Sequence, residues 1–301
     1  MKNSGKFVFD LDGTLIDNRG RLFDGVAEFF YYAIITYKEP KFMICTGNSV
    51  EKARQTIVKI NKELAKNYHY KSGIKFYISA FSGTVIYDEN GNIIKNNTIN
   101  NDRFLQIETT VKDITNNSYI FLCCKDGIYY LPPKTFSKQN LQAQILKLAQ
   151  KINPSCDYNI EPIKSEEYYK LVNLGKVHSL KVLSLDKQKK KEIFKTLNGG
   201  FYGLSVNDGF VIEVSAGSKL SAINSIFGYD LCDVVYMGND FNDIEPMQAC
   251  GKSFAFGNNE EVKKSATYAL NQFAEVNEII FNKQSTKGRN KQNKKLCDAE
   301  K

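Results

Sequence analysis

The 301-residue chain has no window near ~18 consecutive apolar residues, the length a membrane-spanning helix needs, so no membrane span is expected. Its start, MKNSGKFVFD, sets an aspartate where a secretory segment would be apolar, which argues against a signal peptide. The seven cysteines include no CxxC pair and one vicinal pair, Cys123-Cys124. That is neither a disulfide framework nor a zinc site, and it fits a reducing cytosol, so a cytoplasmic location is expected. The sequons at Asn96 and Asn116 then carry no glycan meaning. No GxSxG, GxGxxG or Walker P-loop occurs, which leaves serine hydrolase, dinucleotide and NTPase readings without support. His69 and His178 are the only histidines, and a packing or surface role is expected of both.

What is present is ordinary globular material: 42% hydrophobic and 25% charged residues, over a length that predicts about two domains of ~150 residues. The net charge of +8 is unevenly placed. From Lys283 onward there are seven Lys/Arg against Asp298 and Glu300, so five of the eight net charges sit on a tail almost free of apolar residues. Such a segment cannot offset its ordering entropy and is expected to be a solvated, disordered tail (283–301), not a nucleic-acid arm.

Along the chain, Lys6–Asp10, Phe42–Cys45 and Phe76–Ile78 read as buried strands, with helices over 24–37, ended near Pro40, and after Ser49, a candidate N-cap. This βαβαβ rhythm predicts a doubly wound parallel sheet. It gives way to hairpins at 84–95 and 119–131, a helix from about Ser137, a strand at Val182–Leu185, a helix at Lys187–Leu197 and a hairpin turning at Asn207-Asp208-Gly209. From Ser218 the alternation resumes: helix Lys219–Phe227, strand Asp233–Met237, a helix after Asp243, strand Ser253–Phe256 and helix Glu260–Ala266. The expected fold is α/β, a Rossmann-like core of residues 1–83 and 215–282 interrupted by an inserted α+β cap, residues 84–214. The tyrosines of that cap, Tyr129-Tyr130 and Tyr168-Tyr169, are expected to pack.

Two oxygen-rich loops each follow a buried strand: Asp10-Leu11-Asp12-Gly13-Thr14 and Gly238-Asn239-Asp240-Phe241-Asn242-Asp243. In open α/β sheets the ligand crevice lies at the strand carboxyl ends where strand order reverses. If the first strand is central, the strand ending at Met237 is its neighbour across that reversal, and the loops meet around a hard cation such as Mg²⁺. Cys45, on a buried strand, reads as packing, not as a nucleophile.

DLDGT after an apolar strand resembles the first motif of haloacid dehalogenase-type phosphatases. Ile44-Cys45-Thr46-Gly47 resembles their second motif, Lys219 their third and GNDFND their fourth, in the right order. The cap between the second and third motifs, with Phe81–Tyr87 at its entrance, resembles the Cof-type branch, and the resemblance spans residues 6 to about 280. It implies that Asp10 attacks phosphorus and becomes an aspartyl phosphate, and that Asp12 protonates the leaving oxygen and then activates water. Thr46 and Lys219 complete the catalytic set. Thr46, Gly47, Lys219 and Asn242 bind substrate, and Asp10, Asp12 (through its backbone carbonyl), Asn239 and Asp243 hold Mg²⁺, with either Asp240 or Asp243 making up for the charge that Asn239 lacks. Transport ATPases of the superfamily carry threonine where Asp12 stands, so the resemblance favours a phosphatase on a small phosphorylated metabolite; a phosphomutase or a non-catalytic phosphometabolite sensor are the alternatives. Three departures stand out: Asn239 for the usual acid, Asn48 for the usual arginine and Ser82 for a frequent asparagine.

Overall fold

In the structure, a computed structural model, residues 2–115, 118–131, 160–184, 187–189, 192–193, 196, 203–206 and 209–281 are described. The strand β1 (Lys2–Phe9) ends in the buried apolar run Phe7-Val8-Phe9 and stands at the centre of a sheet that has eight strands among the described residues. On one side it pairs in parallel with β2 (Tyr37–Cys45), which pairs in parallel with β3 (Tyr77–Ala80). On the other side β12 (Val234–Gly238), β13 (Lys252–Ala255) and β14 (Tyr268–Ala269) continue in parallel. The chain thus leaves β1 in one direction and returns in the other, so the switch point falls between β1 and β12, with Phe9 in register with Met237.

Side chains alternate across β1 and feed two cores. Phe7 and Phe9 meet α1 (Val26–Thr36) through Phe29 and Phe30, with ring centroids 5.1–5.5 Å apart. Val8 faces the opposite layer with Ala222, Ile223 and Tyr236. Helix α1 ends at Thr36, and Pro40 lies within β2 opposite Gly5, so the expected stop at proline is a strand position instead. Ser49 does precede α2 (Val50–Tyr68), but its hydroxyl makes no capping bond.

The hairpin of β4 (Val85–Tyr87) and β5 (Ile93–Asn96), expected in the inserted unit, extends the first sheet. The free edge of β3 is taken by an antiparallel ladder, Ile78 opposite Tyr87 and Ala80 opposite Val85, and a ladder of backbone bonds fixes sheet membership regardless of position in the chain.

Among the described residues the second sheet has six strands: β6 (Ser118–Cys124), β7 (Ile128–Tyr130), β8 (Ile160–Pro162), β9 (Val177–Ser184), β10 (Gly203–Val206) and β11 (Gly209–Ser215), in the order β10-β11-β9-β6-β7-β8. One face is covered by α3 (Asn101–Ile114) and α4 (Ser165–Asn173), where Tyr168 and Tyr169 pack on Phe104, as expected of them. The other face meets the first sheet's core. Helix α5 (Lys219–Phe227) opens where expected, capped by Ser218, and is followed by α6 (Ile244–Ala249), α7 (Glu260–Ser265) and α8 (Ala274–Phe281). The helix expected from Ser137, five of the eleven residues expected as a helix over Lys187–Leu197 and the basic tail lie outside the described residues. No described helix is long and apolar enough to cross a membrane.

Candidate active site

Asp10 is the first residue past β1, and its N–H still donates to the Met237 carbonyl at 2.7 Å, so the β1 and β12 ladder holds until the carboxylate projects. Beyond it the chain coils back, Leu15 and Ile16 N–H reaching the Leu11 carbonyl. Gly13 has φ +82, a conformation that costs any residue with a Cβ, and a Cβ there would stand 2.2 Å from Asn239 Nδ2. Thr14 Oγ1 completes the junction by donating to Asn239 Oδ1 at 3.3 Å. The two loops, more than two hundred residues apart in sequence, are therefore in contact, and Asp10 keeps 6% of its surface exposed.

Lys219 stands at the first position of α5, and side chains in a first turn project back toward the helix start. Its ammonium is 2.6 Å from Asp10 Oδ1 and 2.6 Å from Asp243 Oδ1. Asp243 also accepts from Tyr236 OH at 2.5 Å, and its Oδ2 takes the Asn239 and Asp240 N–H groups at 2.9 and 3.0 Å. Gly238 makes this fold-back possible, since a Cβ there would lie 2.5 Å from the Asp243 carboxyl. Asp243 is fully buried with both oxygens engaged, so it anchors the fourth-motif loop and does not face the crevice as the expected metal ligand. Burial raises Asp10 to about 7; Lys219 opposes the rise and Asp243 adds to it. Burial also works against the Lys219 charge, but Asp10 and Asp243 outweigh it and hold its pKa above the lysine range. Burial, reinforced by Asp243, pushes the Tyr236 phenol up as well.

Asp12 points elsewhere. Its Oδ2 accepts from Asn48 Nδ2 at 2.5 Å and its Oδ1 from Lys52 Nζ at 2.5 Å. Asn48, where arginine was the usual residue, thus serves the acid/base candidate. Lys52 was not singled out from the sequence, although a signal was there: a lysine in the first turn of the helix opened by the second motif reaches back toward the strand ends. Thr46 is buried, with its Oγ1 accepting from Asn48 N–H at 3.0 Å, and Gly47 lines a narrow cavity beneath the second sheet. The Asn242 side-chain oxygen is buried with no hydrogen bond among the described residues. Ser82, at φ +54, donates its N–H to the Thr46 carbonyl and its hydroxyl to Glu213 of β11. His178 stacks on Phe81, ring centroids 5.1 Å apart, which is a packing role, and Cys45 is buried with its thiol pushed up by desolvation.

Among the described residues no three His, Cys, Asp or Glu side chains gather as a metal cage. Of the oxygens expected to hold a hard cation, the Asp10 carboxylate and Asn239 Oδ1 belong to loops that are in contact. A buried carboxyl raised by burial despite its lysine is a place where a divalent cation relieves a charge imbalance, and Mg²⁺ sites of one or two carboxylates completed by water are the usual kind.

The family model of haloacid dehalogenase-like hydrolases matches residues 7–279. No curated protein matches the chain. Among solved structures, the chain is similar to a sugar phosphatase of haloacid dehalogenase subclass IIB, with 16% identity, TM-score 0.62, and coverage of 91% of this chain and 95% of that one. A haloacid dehalogenase-like hydrolase from B. subtilis has 18% identity, TM-score 0.65, and coverage of 90% and 96%. A phosphatase of the superfamily from Bacteroides thetaiotaomicron has 16% identity, TM-score 0.65, and coverage of 93% and 95%. At such identities these likenesses establish the fold, while the family match runs from β1 into α8 and takes in all four loops of the crevice, so the chain belongs to the haloacid dehalogenase-like hydrolases.

Proposed function

We propose that the protein is a Mg²⁺-dependent phosphatase that hydrolyses a small phosphorylated metabolite through an aspartyl phosphate on Asp10. The observation that carries this reading is the junction itself: Asp10 bonded to Lys219, Asp12 two residues on, and Asn239 touching the same loop. The sugar phosphatase with the same fold supports the substrate class.

Asp10 Oδ2, the oxygen away from Lys219, attacks phosphorus. The bond from phosphorus to the leaving oxygen breaks as Asp12 gives that oxygen a proton. Asp12 then takes a proton from water, the water oxygen attacks phosphorus, and the bond to Asp10 breaks to release inorganic phosphate. Lys219 fixes the nucleophile, and Thr46 with the N–H groups at the start of α2 holds phosphate oxygens. The Asp10 carboxylate, the Asp12 carbonyl and Asn239 would hold Mg²⁺, which would supply charge neutralisation. At ~4 Å and an effective dielectric near 20, a dianion facing a carboxylate costs about 8 kcal/mol.

The test is phosphate release from p-nitrophenyl phosphate and sugar phosphates. Release that needs Mg²⁺ and is abolished in Asp10→Asn is expected. No release, or undiminished release in that variant, refutes the reading. An isomerised sugar phosphate in place of inorganic phosphate identifies a phosphomutase, and ligand-induced thermal stabilisation without turnover identifies a sensor.

A further inference from the structure

The second motif hands the chain to α2, and the first turn of that helix carries a residue that helix stability disfavours. Lys52 is 3% exposed there, beside the buried Val50, Ala53 and Thr56. A cation in a first turn stands at the positive end of the helix dipole, and an ammonium taken out of water is costly unless it is paired. Both penalties fall on Lys52, and its ammonium meets Asp12 Oδ1 at 2.5 Å. Asn48 Nδ2 donates to the other oxygen at 2.5 Å, so both oxygens of the carboxyl are held from α2 and the turn before it. The clamp is itself braced. Asn48 N–H donates to Thr46 Oγ1 at 3.0 Å, the Asn48 carbonyl accepts from Phe81 N–H at 2.9 Å, and the Lys52 carbonyl takes the Thr56 hydroxyl at 3.0 Å. The Asp12 side chain nonetheless keeps 37% of its surface exposed, with the lysine reaching it from the protein side.

We infer that Lys52 is a positioning residue for Asp12, supplying from the first turn of α2 the cation that position 48 lacks in this chain. The inference rests on the phosphatase reading, in which Asp12 protonates the leaving oxygen. A proton is delivered only from within hydrogen-bond reach of that oxygen, and an ungripped carboxyl turns about its side-chain bonds. Holding both oxygens from the segment that also carries Thr46 fixes the acid in the same frame as the phosphate. A lysine that served packing alone could be replaced by an apolar residue of similar length without touching this step.

The test is kcat/KM of the full-length protein, with Mg²⁺, on phenyl phosphates substituted at the 4-position by nitro, chloro, hydrogen and methoxy. Shape changes little along this series while the phenol becomes a poorer leaving group, and kcat/KM reads the steps through its departure. Nitrophenol leaves as its anion with little help, whereas methoxyphenol needs the proton from Asp12. The parent should therefore vary little across the series. Lys52→Met should lower kcat/KM on the methoxyphenyl ester by about tenfold or more beyond its effect on the nitrophenyl ester. Lys52→Gln, which keeps a donor without the charge, should show the same trend should the first variant fail to fold. Asn48→Arg added to Lys52→Met returns a cation to the same carboxyl and should restore the shallow series. Losses equal across the series, no loss at all, or a double variant as steep as the single one overturns the inference. A parent that releases phosphate while its variants keep the shallow series removes the role of Lys52 and keeps the phosphatase. A parent that releases none from any ester removes both.

Discussion

Replacing Asp10 by asparagine should stabilise the metal-free protein at alkaline pH while abolishing its chemistry. The folded protein raises the Asp10 pKa from 3.8 to about 7, chiefly by burial. The folded state therefore holds the Asp10 proton more tightly than the unfolded chain. Its stability falls as pH climbs from about 4 to about 7 and stays reduced above that. A rise of about three pKa units at 1.36 kcal/mol each sets the deficit at no more than about 4 kcal/mol. Asparagine imitates the protonated acid in shape and charge, and its oxygen can still accept from Lys219, which now stands 2.6 Å from Asp10 Oδ1. Thermal unfolding in EDTA at several pH values from about 5 to about 8 measures the effect. Asp10→Asn should melt several degrees above the unsubstituted protein at the alkaline end, at about 2–4 °C per kcal/mol, and the gap should close toward the acid end. Mg²⁺ should close it too, by neutralising the carboxylate. A variant equal to or below the parent at the alkaline end refutes the reasoning, because it would mean that the Lys219 attraction outweighs the burial of Asp10.

Two further outcomes follow from the contact between the loops. Asn239→Asp adds a carboxylate where Thr14 already donates, so Mg²⁺ should bind about tenfold more tightly, read from the Mg²⁺ dependence of the melting temperature; unchanged affinity removes Asn239 from the cation's surroundings. Gly13→Ala puts a methyl group at φ +82 and against the Asn239 amide, which should cost roughly 1–2 kcal/mol in a denaturant titration and weaken the Mg²⁺ response, while unaltered values on both counts contradict the described turn.

Much of the crevice was legible because its parts are local. A strand buried on both faces must be a continuous apolar run, so Phe7-Val8-Phe9 and Val234–Met237 announced themselves, and the acidic loops that follow them inherited their position. The boundary of the inserted unit was not legible in the same way. A hairpin has the same pattern whichever sheet it joins, and only the open edge of β3 assigns β4 and β5 to the first one. Nor was the role of Asp243 readable, since a carboxylate serves as anchor or as ligand according to whether partners such as Tyr236 and Lys219 reach it first.

The sequence by itself determined the alternation of strands and helices that flanks the crevice, the nucleophile candidate Asp10 and the lysine at the head of α5, since each depends on hydrophobic period and on residues within a few positions; α3 and α4 of the second sheet were not read from it. Tertiary structure alone decided that Lys52 and Asn48 grip Asp12, that Asp243 is consumed inside its loop, and that Glu213 of the second sheet takes the Ser82 hydroxyl. Those choices hang on distances between side chains from separate elements. A polar side chain finds its partner only after the hydrophobic layers have set those elements against one another.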